Sequence, residues 1–192
     1  MDAPRRFYAV LRAETLTGRT FTGHAAVWDS LARIGGHWEQ LARTAFDSAL
    51  ARPDDVALTM NHDPSRLLAR SSSGTLRLAV DAVGLRVEAD IADTTAGNDT
   101  ITLLERGDLT GMSFLALMAP GTDTWSTAPD GHQLNTLTDF ARLLDVSVVT
   151  FPAYADTDAV LRSVDFTTLP AVSGREQLVR SRAARLLKGN TK

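Results

Sequence analysis

The stretch Leu143-Leu144-Asp145-Val146-Ser147-Val148-Val149-Thr150-Phe151 does most to decide how this chain folds. Its apolar run predicts a largely buried strand over residues 142–151, which ends at Pro152 because proline cannot donate to a strand ladder. Asp145 lies inside this strand, where an ionised carboxylate costs several kcal/mol unless it is paired or hydrogen-bonded. Asp145 therefore needs a partner. The residues alone leave open an arginine, solvent at the end of the strand, or a functional group.

The segments outward from this strand carry shorter apolar patterns and turn signals. Further strands are predicted over residues 5–12, 20–28, 55–60, 75–80, 85–91 and 112–118. Helices are predicted from Thr44, which would cap the first of them, to Pro53, over residues 94–107, and over the basic segment 175–188. Loops are predicted over residues 29–36 and 119–133. Short strands without βαβ regularity favour an α+β, mostly-β fold over a doubly wound parallel sheet.

The composition excludes several classes of protein. The 192 residues suffice for one domain with a full core. The absence of cysteine excludes a disulfide scaffold, a thiolate zinc site, an iron–sulfur cluster and a cysteine nucleophile. The net charge of −3 gives no general reason to expect nucleic-acid binding, and no apolar run approaches the length of a membrane span. We therefore expect a soluble intracellular protein without a nucleic-acid or membrane partner.

A serine and a histidine stand out at the ends of predicted strands. Ser113 follows Gly111 at the start of a strand, and the glycine leaves room for a substrate. This is not the G-x-S-x-G elbow, because Leu115 stands where that motif has its second glycine. His62 follows a strand in a turn fixed by Pro64, which is a good place to hold an imidazole. By themselves these residues also fit an ordinary strand serine and a surface histidine.

The other histidines do not form a metal-binding pattern. His24 lies within a predicted strand and is expected in the core, whereas His37 and His132 lie in glycine-rich loops. No pair has the spacing H-x-x-x-H, so we expect neither a metal site nor a bound cofactor.

A serine, a histidine and a buried acid together can activate a hydroxyl. The imidazole takes the serine proton, while the carboxylate holds the correct tautomer and stabilises the charged ring. Every globular protein contains these residue types, so their presence alone does not indicate a catalytic site. The motifs around them have to support that interpretation.

Five stretches supply such motifs: residues 23–28 (GHAAVW), 61–64 (NHDP) with 68–70 (LAR), 74–78 (GTLRL), 105–114 (ERGDLTGMSF) and 144–154 (LDVSVVTFPAY). In this order they resemble the prohead protease family of tailed bacteriophages, and the resemblance covers roughly residues 5–163. It implies a capsid-maturation serine endopeptidase. It also implies the fold of the herpesvirus assembly protease, a β-barrel surrounded by helices.

The resemblance also assigns roles and partners. The histidine, the nucleophile and the acid of the family fall on His62, Ser113 and Asp145. The implied substrate is the precursor of the major capsid protein or its scaffold, cleaved inside the immature prohead in the host cytoplasm. Self-processing is implied as well, and self-association is left open.

Two positions depart from the family pattern. The family usually has glutamate where this chain has Asp145, which is one methylene shorter. The backbone of Asp145 must therefore lie closer to His62, or the hydrogen bond between the carboxylate and the imidazole weakens. The family also often has glycine where this chain has Leu115, which would narrow the site or alter its pocket.

The charge distribution divides the chain. Residues 1–164 are expected to form the protease domain, and residues 165–192 form a tail with a net charge of +4. We expect the tail to be cleaved off or to tether the enzyme to the scaffold, although a solvated terminal helix would have the same composition. Two rival functions are a catalytically silent assembly protein that retains the fold, and an esterase or amidase acting on small molecules. A silent assembly protein would have no need of His62, Ser113 and Asp145 together. The esterase or amidase interpretation is not supported, because the chain lacks the elbow motif.

Overall fold

Strands make up most of the described part of the computed structural model, which comprises residues 5–9, 15–34, 36–52 and 54–150. In chain order the strands are β1 (Arg5–Ala9), β2 (Thr15–Thr17), β3 (Thr20–Val27), β4 (Ala32–Ile34), β5 (His37–Leu41), β6 (Ala57–Met60), β7 (Asp63–Arg70), β8 (Leu76–Val80), β9 (Gly84–Asp90), β10 (Gly111–Met118), β11 (Asp123–Thr127), β12 (Gln133–Leu137) and β13 (Phe140–Val149). The helices are α1 (Asp47–Leu50) and α2 (Thr95–Arg106). The predicted mostly-β, α+β class is confirmed.

These strands form three sheets, with the orders β1-β10-β13-β6-β7, β11-β12-β5-β4 and β2-β3-β9-β8. The first and last strands of each order do not pair with each other, so the described residues form no closed barrel. Sheets instead meet through side chains: a Cβ on Gly23 of β3 would lie 3.0 Å from Met112 Sδ of β10. The predicted barrel surrounded by helices is therefore not found in this part of the chain.

The core fixes the orientation of the strands that carry the candidate residues. Phe114 of β10 and Phe140 of β13 are buried against Phe46, each with 5.0 Å between ring centroids. Successive side chains of a strand point to opposite faces. Burial of Phe114 in this cluster therefore turns its neighbour Ser113 to the other face of the sheet.

Several predicted boundaries are confirmed and others are wrong. Helix α2 begins after Thr94, whose hydroxyl accepts from Gly97 N at 3.1 Å, and ends at Gly107 with φ +77°. At α1, by contrast, the N-cap position is Phe46 without a side-chain bond. Thr44 does not cap this helix, because its hydroxyl donates to Thr138 O at 3.1 Å.

Two predicted loops contain strands instead. Strands β4 and β11 lie within residues 29–36 and 119–133, where they pair with β5 and β12. Pro53 and the basic segments 165–192 and 175–188 lie outside the described residues. Neither α1 nor α2 has the length and apolar character needed to cross a bilayer, and the described residues contain no other helix.

His24 of the third sheet is buried and pairs with the partly exposed Asp81. Its Nε2 lies 2.9 Å from Asp81 Oδ2, and its side chain is 5% exposed. Asp81 also closes the β8–β9 hairpin, since its Oδ1 accepts from Val83 N and Gly84 N at 2.8 and 2.9 Å. Burial by itself raises the pKa of Asp81, but the bonds from Gly84, His24 and Val83 together hold that pKa below its usual value.

Replacing Asp81 by asparagine is expected to destabilise the fold in a pH-dependent way. A carboxyl whose pKa is lower in the folded state stabilises the fold above its unfolded pKa of about 3.9, and this stabilisation is lost as the pH falls through the folded pKa. Wild type should therefore unfold at a higher urea concentration than Asp81→Asn near pH 7, and the gap should narrow as the pH falls below about 3.9. Asp99→Asn, at an exposed helix position, is the control. A gap that does not depend on pH would contradict this account.

Candidate active site

His62 lies in a tight turn between two strands of the five-stranded sheet. Met60 of β6 pairs with Asp63 of β7, so Asn61 and His62 form the two-residue connection. Both have positive φ, +54° and +57°. A type I′ hairpin turn requires this conformation, and its second position is usually glycine because a left-handed residue with a Cβ costs about 1–2 kcal/mol. The catalytic candidate His62 thus adopts a left-handed backbone conformation that is unfavourable for a residue with a Cβ.

Strand β13 holds this turn in place. Asn61 N donates to Val148 O at 2.9 Å, and the Asn61 side-chain oxygen accepts from Thr150 N at 2.9 Å. His62 N donates to the hydroxyl of the fully buried Ser147 at 2.9 Å. The position of His62 is therefore set by a strand that lies more than 80 residues further along the chain.

Asn61 offers a test of how the turn is held. Asn61→Ala removes both the left-handed preference and the bonds to Thr150, and it should cost about 1–2 kcal/mol of unfolding free energy in urea. Asn61→Gly permits positive φ but also removes the bonds, so it should cost clearly less. An equal loss of unfolding free energy in the two variants would mean that the bonds to Thr150, and not the left-handed turn conformation, account for the contribution of Asn61 to stability.

The strand register brings the polar residues into one row. Ser113 of β10 pairs with Ser147 of β13, and Ser147 pairs with Thr59 of β6. Asp145 lies two residues before Ser147 and therefore on the same face. The opposite face carries the buried Phe114, Val146 and Leu58. The carboxylate in the apolar strand thus lies on a polar face that runs across three strands.

The structure brings the three predicted site residues into contact. His62 Nε2 lies 2.7 Å from Ser113 Oγ, and His62 Nδ1 contacts Asp145 Oδ1. A carboxylate can only accept, so Nδ1 carries the proton and Nε2 is left to accept from the serine hydroxyl. Ser113 is fully buried, and the side chains of His62 and Asp145 are 4% and 14% exposed. The contacts of Asp145 are with His62 and neighbouring hydroxyls, and they provide the hydrogen bonds that its burial requires.

The carboxylate of Asp145 reaches the imidazole although aspartate is one methylene shorter than the glutamate that the sequence resemblance leads us to expect. The β6–β13 pairing and the bond from His62 N to Ser147 bring the backbone of the turn close to β13. Leu115 lies opposite Asp145 in the β10–β13 register and is partly buried. The leucine therefore borders the carboxylate on the face that carries Ser113.

Two hydroxyl residues of the site escaped the sequence reasoning. Thr59 Oγ1 donates to Asp145 Oδ2 at 2.8 Å, and Ser147 Oγ lies 2.5 Å from Thr59 Oγ1. Ser147 could have been found as the residue two positions after Asp145, on the same strand face. Thr59 had no such signal, because its place depends on the pairing of β6 with β13.

The remaining polar candidates have partners elsewhere. Asp63 accepts from Ser65 N and Ser65 Oγ at 2.9 and 2.7 Å. His37 packs on Trp125, with 4.9 Å between ring centroids, and His132 Nδ1 lies 3.2 Å from Asp130 Oδ2. Within the described ranges no group of three or more acidic or histidine side chains is placed to hold a metal ion.

A serine hydroxyl, an imidazole and a carboxylate connected in this order are the arrangement by which serine hydrolases activate a nucleophile. A family model described as "Caudovirus prohead serine protease" matches residues 8–170. The chain belongs to this family, and the resemblance seen in the sequence is confirmed. Searches of curated proteins and of solved structures returned no match. The expected likeness to the herpesvirus assembly protease stays a prediction.

Proposed function

We propose that this chain is a serine endopeptidase that cleaves capsid or scaffold precursor protein inside the prohead. In this proposal Ser113 is the nucleophile, His62 the general base and Asp145 the group that orients the imidazole. The observation that carries the proposal is the 2.7 Å contact between His62 Nε2 and Ser113 Oγ, with Asp145 on the other ring nitrogen. The family match supports a protein substrate from the capsid.

The geometry supports a two-stage reaction. Ser113 Oγ attacks the scissile carbonyl while its proton passes to His62 Nε2, and Asp145 stabilises the resulting imidazolium. The tetrahedral intermediate collapses as His62 gives that proton to the leaving amine, which leaves an acyl group on Ser113. Water then attacks the acyl group with His62 again as base, releasing the carboxyl product and restoring the serine hydroxyl.

Burial of the nucleophile adds a step to this scheme. Ser113 is fully buried, so a peptide bond reaches its hydroxyl only after the groups that cover it move. An open groove of about 900 Å³ runs along β7 and the start of α2, but none of His62, Ser113 and Asp145 lines it, so it marks no path to the nucleophile.

Self-processing is the second part of the proposal. The segment 165–192 carries six basic and two acidic residues, which distinguishes it from the acidic remainder of the chain. We propose that the enzyme removes this segment or that the segment tethers it to the scaffold. Mass spectrometry of matured particles should find enzyme copies that end before Lys192 if removal occurs. An intact C-terminus in every copy would contradict self-cleavage there.

Co-expression tests the function as a whole. The chain is produced together with the major capsid precursor of the same phage, and the precursor is followed by mass spectrometry. The proposal predicts a shortened precursor with one defined new terminus. An intact precursor in assembled particles would contradict it and would favour a catalytically silent assembly component.

A further inference from the structure

Two buried hydroxyls connect the backbone of His62 to the carboxylate of Asp145. His62 N donates to Ser147 Oγ at 2.9 Å, Ser147 Oγ lies 2.5 Å from Thr59 Oγ1, and Thr59 Oγ1 lies 2.8 Å from Asp145 Oδ2. Ser147 and Thr59 are 0% and 2% exposed. The reaction scheme above uses neither hydroxyl, although both lie within hydrogen-bond distance of groups that it does use.

Counting protons fixes the direction of this chain. The carboxylate of Asp145 can only accept, so the Thr59 hydroxyl uses its one proton on Oδ2. Ser147 has one proton and two acceptors within reach, Thr59 Oγ1 at 2.5 Å and Asp145 Oδ1 at 3.3 Å. The shorter contact takes that proton, because Thr59 has already used its own. Ser147 in turn accepts from the backbone N–H of His62. The donors therefore all point the same way, from His62 N–H through Ser147 and Thr59 to Asp145 Oδ2.

We infer that Thr59 and Ser147 are positioning residues that hold His62 and Asp145 in mutual register, an inference that rests on the proposed function. Thr59 occupies Oδ2, so the carboxylate presents Oδ1 to the ring Nδ1–H. Ser147 holds the backbone of the residue that stands in the left-handed conformation. Both sides of the histidine–aspartate contact are thus fixed by one pair of hydroxyls.

The short side chain of Asp145 explains why such support matters. Rotation of an unsupported carboxylate about its terminal bond would turn Oδ1 away from Nδ1 and release the imidazole from its working tautomer. A displacement of about 1 Å in a catalytic group lowers a rate by about 100-fold. A donor fixed on the second oxygen prevents this rotation without touching the substrate. The expected effect of losing it is therefore on turnover and not on substrate binding.

The test compares Thr59→Val, which keeps the shape of the side chain without the hydroxyl, with Thr59→Ser, which keeps the hydroxyl. The substrate is a synthetic peptide spanning the cleavage site found by co-expression. Thr59→Val should lower kcat about 10- to 100-fold with KM changed less than about twofold, and Thr59→Ser should stay within about threefold of wild type. Thr100→Val is the matched control, since Thr100 is equally buried and its hydroxyl donates to Ala96 O within α2. Its kcat should equal that of wild type.

A second readout does not require turnover. The Nδ1 proton of His62 should give a far-downfield proton resonance in wild type and Thr59→Ser, and this resonance should be lost or move upfield in Thr59→Val. If Thr59→Val does not fold, Ser147→Ala replaces it with the same expectation. An unchanged kcat and resonance, or a Thr59→Ser variant as impaired as Thr59→Val, would overturn the inference while leaving the proposed function intact. If wild type cleaves nothing, the proposed function fails. The resonance then still tests the positioning role on its own, and an Nδ1 proton resonance that is the same in Thr59→Val as in wild type would overturn that role.

Discussion

Replacing Ser113 by alanine is expected to abolish cleavage of the capsid precursor while the variant still folds. In the proposed reaction the hydroxyl attacks the scissile carbonyl, and alanine leaves His62 Nε2 with no nucleophile to deprotonate. Removal of such a nucleophile lowers kcat by a factor on the order of 10⁶. The change deletes one buried oxygen from a strand whose ladder and opposite face stay as they are, so the fold should tolerate it.

The measurement is the yield of shortened precursor, together with a urea unfolding curve for the variant. Ser126→Ala, at an exposed position of β11, provides the control and should cleave like wild type. Cleavage by Ser113→Ala at the wild-type rate would exclude Ser113 as the nucleophile. The unfolding curve shows whether Ser113→Ala is folded. Lost cleavage counts as the expected result only when the variant unfolds cooperatively in urea like wild type.

Asp145→Asn is expected to lower kcat by about 10³- to 10⁴-fold. The carboxylate accepts the Nδ1 proton of His62, whereas an amide can offer an N–H at the same place. The imidazole would then carry its proton on Nε2 and could not accept one from Ser113. The loss should fall on kcat, because the substrate does not contact Asp145 in this scheme.

Asp54→Asn is a matched control for this variant. The Asp54 side chain is 15% exposed, close to the 14% of Asp145, but it pairs with Arg142 of β13 at 2.7 Å. Its replacement should reduce the unfolding free energy and leave kcat close to wild type. A near-normal kcat for Asp145→Asn would contradict the orienting role of Asp145. Asp63 and His24, the other candidates for this role, contact Ser65 and Asp81.

The sequence identified the candidate residues of the site because each has a local signal. Asp145 is the charge in an apolar strand, His62 follows a strand in a tight turn, and Ser113 follows a glycine. The motifs around them indicated the family. Helix α2 was predictable for the same reason, since Thr94 and Gly107 mark its two ends locally.

The features that could not be predicted from the sequence depend on which strands pair with each other. The β6–β13 pairing joins Thr59 to Ser147, and local periodicity contains no information about such a distant partner. The supporting hydroxyls, the strands β4 and β11, and the assembly of three sheets instead of a barrel all depend on such long-range pairing. The prediction that Thr44 caps α1 fits the local pattern but is wrong, because the Thr44 hydroxyl donates to the carbonyl oxygen of Thr138, 94 residues away.

In the proposed mechanism His62 and Asp145 activate Ser113 as a nucleophile. Fluorophosphonate labelling followed by peptide mass mapping tests this activation in an enzyme preparation that cleaves the capsid precursor. One adduct is expected, on Ser113, with cleavage lost in proportion to labelling and no adduct in Ser113→Ala. A preparation that cleaves the precursor while Ser113 stays unlabelled, or an inactivating adduct on another residue, would contradict this mechanism.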